Sequence, residues 1–377
     1  MSVETYTSET NMHNEKVKSL FDLFDTSDEY VTSEPFGGGH INDTYKVTGA
    51  RGKYTLQRIN TDVFTDPDSV MRNISAVTAH ISRKLMSEGM DPLRRTLHVI
   101  ESHTGEPTVK TEDGVYRMFT FVDNVKTYKK CESADTFYRA ASAFGSFGRR
   151  LLDFSAETLA VTIPDFHNTP KRYRDLCEAA EADVCGRACE VADDLAYFRL
   201  YADFYSVVTS KLDSGEIPLR VTHNDTKLDN VLFDLETDEG ICVIDLDTVM
   251  PGSVLYDYGD ALRVGTNPSA EDADDTSRVE CRLDMFTAFT EGYLSELAGV
   301  LTECELALMP VAGRLLTLEC AMRFLTDYLR GDVYFKTSRP RQNLDRARVG
   351  IALARDMVKK EPEMTRIVYE ILSKNKK

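Results

Sequence analysis

An α+β chain in two lobes, a β-rich N-lobe followed by a mostly helical C-lobe, is the fold class that the sequence predicts. Three observations carry it. Short β-rich runs separated by glycine turns fill the chain up to Asp123. Beyond that point apolar residues recur at three- and four-residue steps, the period of helices packed on one face. Within the helical half a single β-like island, Leu219–Val249, holds the polar run His223-Asn224-Asp225-Thr226-Lys227-Leu228-Asp229-Asn230.

The elements follow in order. Asn14–Asp25 places Val17, Leu20, Phe21 and Phe24 at helical spacing. Val31–Phe36 and Ile41–Val47 read as strands separated by Gly37-Gly38-Gly39, and Tyr54–Ile59 follows the turn at Gly49–Gly52. Asp68–Met86 reads as a helix opened by its Asp and closed near Gly89. Thr96–Ile100 and Val115–Phe121 complete a lobe over residues 1–123. The stretch Asp123–Lys130 reads as a linker to a second lobe over 124–377. There Ala134–Phe154 spaces Phe137, Ala141, Phe144, Phe147, Leu151 and Phe154 as a central buried helix. Two helices are expected between Lys171 and Leu212. Others follow at Tyr256–Val264, Arg278–Leu297, Glu303–Leu329, Asp345–Val358 and Pro362–Leu372.

Composition narrows the function classes. The 377 residues are 42% hydrophobic and 28% charged, ordinary for a globular protein, and the net charge is −17. Non-specific nucleic-acid binding and docking on anionic membranes both need a basic face, which this balance argues against. No run approaches the length of a membrane helix, and the N-terminus is polar without the parts of a signal peptide. The eight cysteines are scattered from Cys131 to Cys320 without a paired CxxC, so reduced, structural thiols in a cytoplasmic protein are expected.

The chemistry is concentrated in the island. Asp225 and Asn230 stand five residues apart, and Asp245 closes the next hydrophobic strand, Ile241-Cys242-Val243-Ile244. That spacing suits kinase-type phosphoryl transfer, in which the protein positions the reactants and balances charge. Asp225 is the candidate catalytic base, orienting a hydroxyl and accepting its proton. Asn230 and Asp245 offer hard oxygens to Mg²⁺, and Asp247 is a further metal or substrate candidate. The bland alternative is a polar turn between strands. His223 is expected to brace the loop. The Tyr256–Arg263 segment, with Asp257 and Asp260 around Gly259, is expected to support it from a helix start.

Gly37, Gly38 and Gly39 lie between two strands of the first lobe. Without a Cβ their backbone N–H groups can approach nucleotide phosphates, although a plain hairpin has the same composition. In a kinase N-lobe the third strand usually carries a lysine for those phosphates; in Lys53–Ile59 Gln57 stands in its place, with Arg58 facing the other side if the strand alternates regularly. Either Gln57 bonds the phosphates without charge or another cation substitutes, and a nucleotide-binding pseudokinase is a further reading. Arg323, flanked by Met322 and Phe324, is a candidate contact to a polar substrate. Strands, a glycine loop, a hinge and a helical lobe with the catalytic loop on a hairpin make a kinase-like bilobal fold. The absence of DFG and APE sequences argues against a protein kinase.

Four stretches carry a resemblance: Gly37–Tyr45 (GGGHINDTY), Leu56–Asn60 (LQRIN), His223–Asp234 with Val243–Pro251 (HNDTKLDNVLFD, VIDLDTVMP), and Leu316–Phe335 (LTLECAMRFLTDYLRGDVYF). With these the chain resembles the aminoglycoside phosphotransferase and choline kinase superfamily, and within it the N-acetylhexosamine 1-kinases. The resemblance implies ATP- and Mg²⁺-dependent phosphorylation of the anomeric hydroxyl of GlcNAc or GalNAc. It assigns Asp225 as base, Asn230 and Asp245 to the metal, and Arg323, Tyr334 and His40 to the sugar. It also makes the missing strand lysine a trait of the group. Val264 stands where some relatives have a larger aromatic, which implies a different acetamido pocket. An aminoglycoside, choline or another amino alcohol is the alternative acceptor.

Overall fold

The structure is a computed structural model and describes residues 14–37 and 42–375. A helix over residues 14–21 (α1) precedes an antiparallel sheet of β1 (Tyr30–Pro35), β2 (Asp43–Gly49), β3 (Lys53–Ile59), β4 (Val99–Ile100), β5 (Val109–Thr111) and β6 (Gly114–Thr120). The sheet order is β1-β2-β3-β6-β4, with β5 also paired to β6. Alternation along the strands sorts the side chains. Val47, Tyr54, Leu56, Tyr116 and Met118 pack with Val17, Leu20 and Phe21 into a small core. On the opposite face Gln57 lies between Thr44 and Arg117, and Thr55 between Lys46 and Phe119.

Helix α2 (Pro67–Ser87) starts one step earlier than its sequence suggests. Asp66, not Asp68, is the cap, accepting from Ser69 N at 3.1 Å, because Pro67 suits the first helical position. The linker expected at Asp123–Lys130 contains a strand, β7 (Val125–Lys126), which pairs antiparallel with residues Phe233 and Asp234 of the second lobe. Tyr128 and Lys126 both reach Asp238, at 2.7 and 2.8 Å, so this connection is fastened to the helical lobe.

That lobe is built on α3 (Ala134–Arg150), which buries Phe137, Ala141, Phe144 and Phe147. It ends four residues short of Phe154. Helices α4 (Thr169–Ala182), α5 (Ala192–Arg199) and α6 (Thr209–Ser214) lead to β8 (Arg220–Thr222), β9 (Val231–Asp234), β10 (Gly240–Val243) and β11 (Met250–Gly252). Next come α7 (Val254–Gly265), α8 (Leu283–Leu297) and α9 (Glu303–Arg330). At Gly259 helix α7 meets α9 so closely that a Cβ there would lie 2.6 Å from the Ala312 carbonyl oxygen. This contact sets the height of Asp257 and Asp260 against the catalytic hairpin.

The two helices expected after Asp345 are one, α10 (Gln342–Asn375), with Pro362 inside it. An internal proline costs about 3 kcal/mol. Met357, Met364, Ile367 and Val368 are all buried around it, each worth roughly 1.5–3 kcal/mol, so burial outweighs the break. Among the described residues no helix is long and apolar enough to cross a membrane. A β-sheet first lobe and a helical second lobe make the kinase-like α+β fold.

Candidate active site

The run His223–Asn230 forms the turn between β8 and β9, and its geometry is fixed from several sides. The imidazole of His223 donates from Nε2 to the Ile244 carbonyl at 2.9 Å and accepts at Nδ1 from the Asp225 amide at 3.2 Å, which identifies the neutral Nε2–H form. Its ring lies edge-on to Phe144 and Phe147 of α3. The amides of His223 and Asn224 both donate to Asp257 of α7, at 3.0 and 2.7 Å. Burial pushes the Asp257 carboxyl up, against the pull of these two amides.

Asn224 sits at φ 67°, a left-handed backbone that a non-glycine residue holds only when its surroundings impose it. Its carbonyl oxygen accepts from His167 Nε2 at 3.2 Å, and His167 Nδ1 pairs with Glu319 of α9 at 2.8 Å. Burial works against the His167 charge, but Glu319 outweighs it and holds the pKa above the usual value. Burial likewise opposes the Glu319 charge, and His167 with Thr169 holds that pKa below the usual value. A buried ion pair thus braces the residue next to Asp225.

Asp225 receives Lys227 Nζ on Oδ1 at 2.8 Å. Asn230 Nδ2 donates to the Asp225 carbonyl at 2.8 Å and only weakly to Oδ2, at 3.3 Å. The amide nitrogen of Asn230 is therefore engaged, which makes its oxygen the end available to a metal. Asp245, at φ 59° just after β10, opens onto the cleft. Enclosure by the crevice walls, then Asp247 and Asp225, raises its carboxyl pKa. Such a carboxylate with an amide oxygen is a donor set that suits Mg²⁺, which keeps waters and takes few protein ligands. Among the described residues no group of three or more His, Cys, Asp or Glu is arranged to hold a metal.

Asp247 is differently engaged. Both its oxygens are bonded: Oδ1 to Arg117 Nη1, and Oδ2 to Arg117 Nη2 at 3.0 Å and Asn42 Nδ2 at 2.7 Å. The candidate metal ligand from the sequence thus spans the lobes in an ion pair that is almost fully buried. Gln57 donates to Thr44 Oγ1 at 2.9 Å and accepts from Arg117 Nε at 2.9 Å. Arg58 does point to the other face, bonding the Asp113 carbonyl at 2.8 Å.

Beyond Asp225 stands a wall from α7 and α9. Arg263 holds Asp260 Oδ1 at 2.8 and 3.0 Å, while Asp260 Oδ2 is buried without a hydrogen-bond partner among the described residues. Burial opposes the Asp260 charge, but Arg263 and Lys227 prevail and lower its pKa. Arg323 is half-buried, its guanidinium carbon 5.8 Å from the Phe166 ring centre and 5.5 Å from that of Phe335. Tyr334 is exposed, edge-on to Phe335, on a turn held by Asp327, which accepts from the amides of Val333, Tyr334 and Phe335. Val264 is 40% exposed. A cavity of about 500 Å³ is lined by Phe166, His167, Asn224 and Tyr256 among others, and Asp225 is not in its wall.

The structure thus brings Asp225, Asn230, Asp245 and Asp247 together and sets Arg323 beside Tyr334 through Phe335. Gly37 has φ 82°, while Gly38, Gly39 and His40 lie outside the described residues. Sequence reasoning passed over Lys227, Arg117, His167 and Glu319. Lys227 had a local signal, two residues after Asp225. The other three become visible only through sheet register and helix packing.

Comparison with known proteins agrees with this fold. The model of the phosphotransferase enzyme family APH matches residues 32–291, more than half of the chain. Among similar solved structures is a microcompartment-associated aminopropanol kinase, with TM-score 0.61 and 16% identity over 93% of this chain and 98% of that one. Another is an aminoglycoside phosphotransferase from Alicyclobacillus acidocaldarius, with TM-score 0.60 and 12% identity over 94% and 95%. A third is a spectinomycin phosphotransferase solved with ADP and spectinomycin, with TM-score 0.55 and 14% identity over 90% and 97%. With its catalytic hairpin set between a β-sheet lobe and a helical one, this chain belongs to the APH phosphotransferase enzyme family.

Proposed function

We propose that the protein is an ATP- and Mg²⁺-dependent kinase that transfers the γ-phosphate to the anomeric hydroxyl of an N-acetylhexosamine, GlcNAc or GalNAc, giving the sugar 1-phosphate. The lobe over 1–123 serves the nucleotide, and 124–377 serves the metal and the acceptor. Asp225 Oδ2, the more weakly held oxygen, accepts the hydroxyl proton. The sugar oxygen forms a bond to the γ-phosphorus, the bond to the bridging oxygen breaks, and ADP leaves with that electron pair. Mg²⁺ held by Asp245 and Asn230 neutralises phosphate charge when bound.

The observation that carries the acceptor class is the charge balance around Asp225. In a protein of net charge −17, this corner holds Lys227, Arg263 and Arg323 against Asp225 and Asp260. Asp225 is already paired with Lys227 and Asp260 with Arg263, which favours a neutral polyol over an amine. The buried Asp260 Oδ2 offers an acceptor for a hydroxyl or an amide N–H. An amino alcohol or aminoglycoside acceptor is the second reading, favoured by the names of the similar structures. ADP release with GlcNAc, GalNAc, galactose, choline and kanamycin separates the two. Turnover confined to choline or kanamycin would overturn the sugar reading, and ATP binding without any transfer would leave a pseudokinase.

A further inference from the structure

We propose that Arg117 is the cation of the phosphate subsite, carried on β6 in place of a lysine on β3, and that Asp247 is its holder. The inference rests on the nucleotide reading above. A polyanionic nucleotide entering between the lobes meets three carboxylates, Asp225, Asp245 and Asp247, and the N-lobe must offset part of that charge.

Among the described residues four cations sit on the cleft face of the sheet, fixed by its strand pairing, and one of them, Lys110 on β5, is spent on Asp68 of α2, 2.6 Å away. Lys53 is spent on Asp123 at the hinge, 2.7 Å away. Lys46 lies over the Phe121 ring, with Glu34 at 3.3 Å, also toward the hinge. Among the described residues, Arg117 is the sheet cation that stands at the metal end, next to Gln57 and paired with a residue two positions after Asp245. Its partner comes from the other lobe, so the guanidinium is fixed relative to the catalytic strand. Solvent is excluded from the pair, which leaves its field poorly screened.

The charges pair off in consequence. Lys227 answers Asp225, Arg117 answers Asp247, and Asp245 is the carboxylate left for a metal. Removing Arg117 would expose the nucleotide to a second uncompensated carboxylate. Removing the Asp247 charge would free the guanidinium for phosphate. A purely structural tie between the lobes makes a different forecast, because either substitution then breaks the same lock.

The test is ADP binding measured by calorimetry in EDTA, which separates phosphate recognition from metal binding. Asp247→Asn is expected to bind ADP more tightly than wild type, and Arg117→Met roughly tenfold or more weakly. If Arg117→Met fails to fold because Asp247 is left buried and unpaired, the double variant carries the comparison. Adding Arg117→Met to Asp247→Asn must then weaken ADP binding by a similar factor. Equal weakening by both single substitutions, or no change on adding Arg117→Met to Asp247→Asn, overturns the assignment while wild-type ADP binding upholds the nucleotide site. Absence of ADP binding by the wild type overturns the nucleotide reading and this inference with it.

Discussion

The hairpin that carries Asp225 and the turn that carries Tyr334, the proposed acceptor rim, are built on opposite plans. Around Asp225 the backbone is held by Asp257, His223, His167 and Asn230 from four separate positions. At the rim, Tyr334 is 69% exposed, and its turn is held by Asp327 through three backbone amides and by Arg187 and Asn343 through Asp332. The first arrangement fixes one reaction. The second fixes a backbone and leaves the Tyr334 side chain exposed. On the proposed reading, chemistry is stored in buried, redundant contacts and selectivity in exposed, replaceable ones.

That contrast breaks most visibly at its centre. Asp225→Asn is expected to lower turnover by about 10²–10⁴-fold while nucleotide affinity changes little, since a general base acts only on the transferred proton. Near wild-type turnover in steady-state assays would end the assignment.

Next comes the brace behind the loop. Glu319→Ala strands His167 in the interior and is expected to cost about 3–5 kcal/mol in chemical denaturation. Its pH dependence has a definite sign. His167 has a raised pKa, so its contribution is complete below about pH 6.5 and is lost as pH rises through the higher folded value. Glu319 has a lowered pKa, so its contribution is complete above about pH 4.3 and is lost as pH falls through the lower folded value. The stability gap between wild type and Glu319→Gln should therefore be widest near pH 5–6 and narrow on either side. A gap that is flat with pH contradicts the charged pair.

Asp257→Ala frees two backbone amides and is expected to cost about 1.5–3 kcal/mol, with kcat falling more than acceptor KM rises. Smallest is the rim: Tyr334→Ala should leave stability within about 0.5 kcal/mol and raise acceptor KM with little change in kcat. A large loss of melting temperature there would mean that the rim is as structural as the hairpin.

How far the sequence could be read follows the same division. The strand around Gln57, the buried stripe of α3 and the Asp225–Asn230–Asp245 spacing were legible because each is set by neighbours within a few residues. Support of the loop by the Tyr256–Arg263 segment was expected, but not the bonds from Asp257 to two loop amides or Ser253 as the helix cap. The pairing of Asp247 with Arg117 was not, since it depends on β6 lying beside β3 and on one lobe meeting the other. His167 and Glu319 are 152 residues apart and meet only through the packing of α9. Pro362 misled because local rules weigh the lost hydrogen bond and not the apolar side chains buried around it.

The most direct test of the account is the product itself. Incubating the protein with ATP, Mg²⁺ and GlcNAc or GalNAc should give a ³¹P resonance coupled to the sugar H1, and Asp225→Asn should abolish it. Phosphate on any other hydroxyl, or transfer only to amine-bearing acceptors, would contradict the sugar 1-kinase.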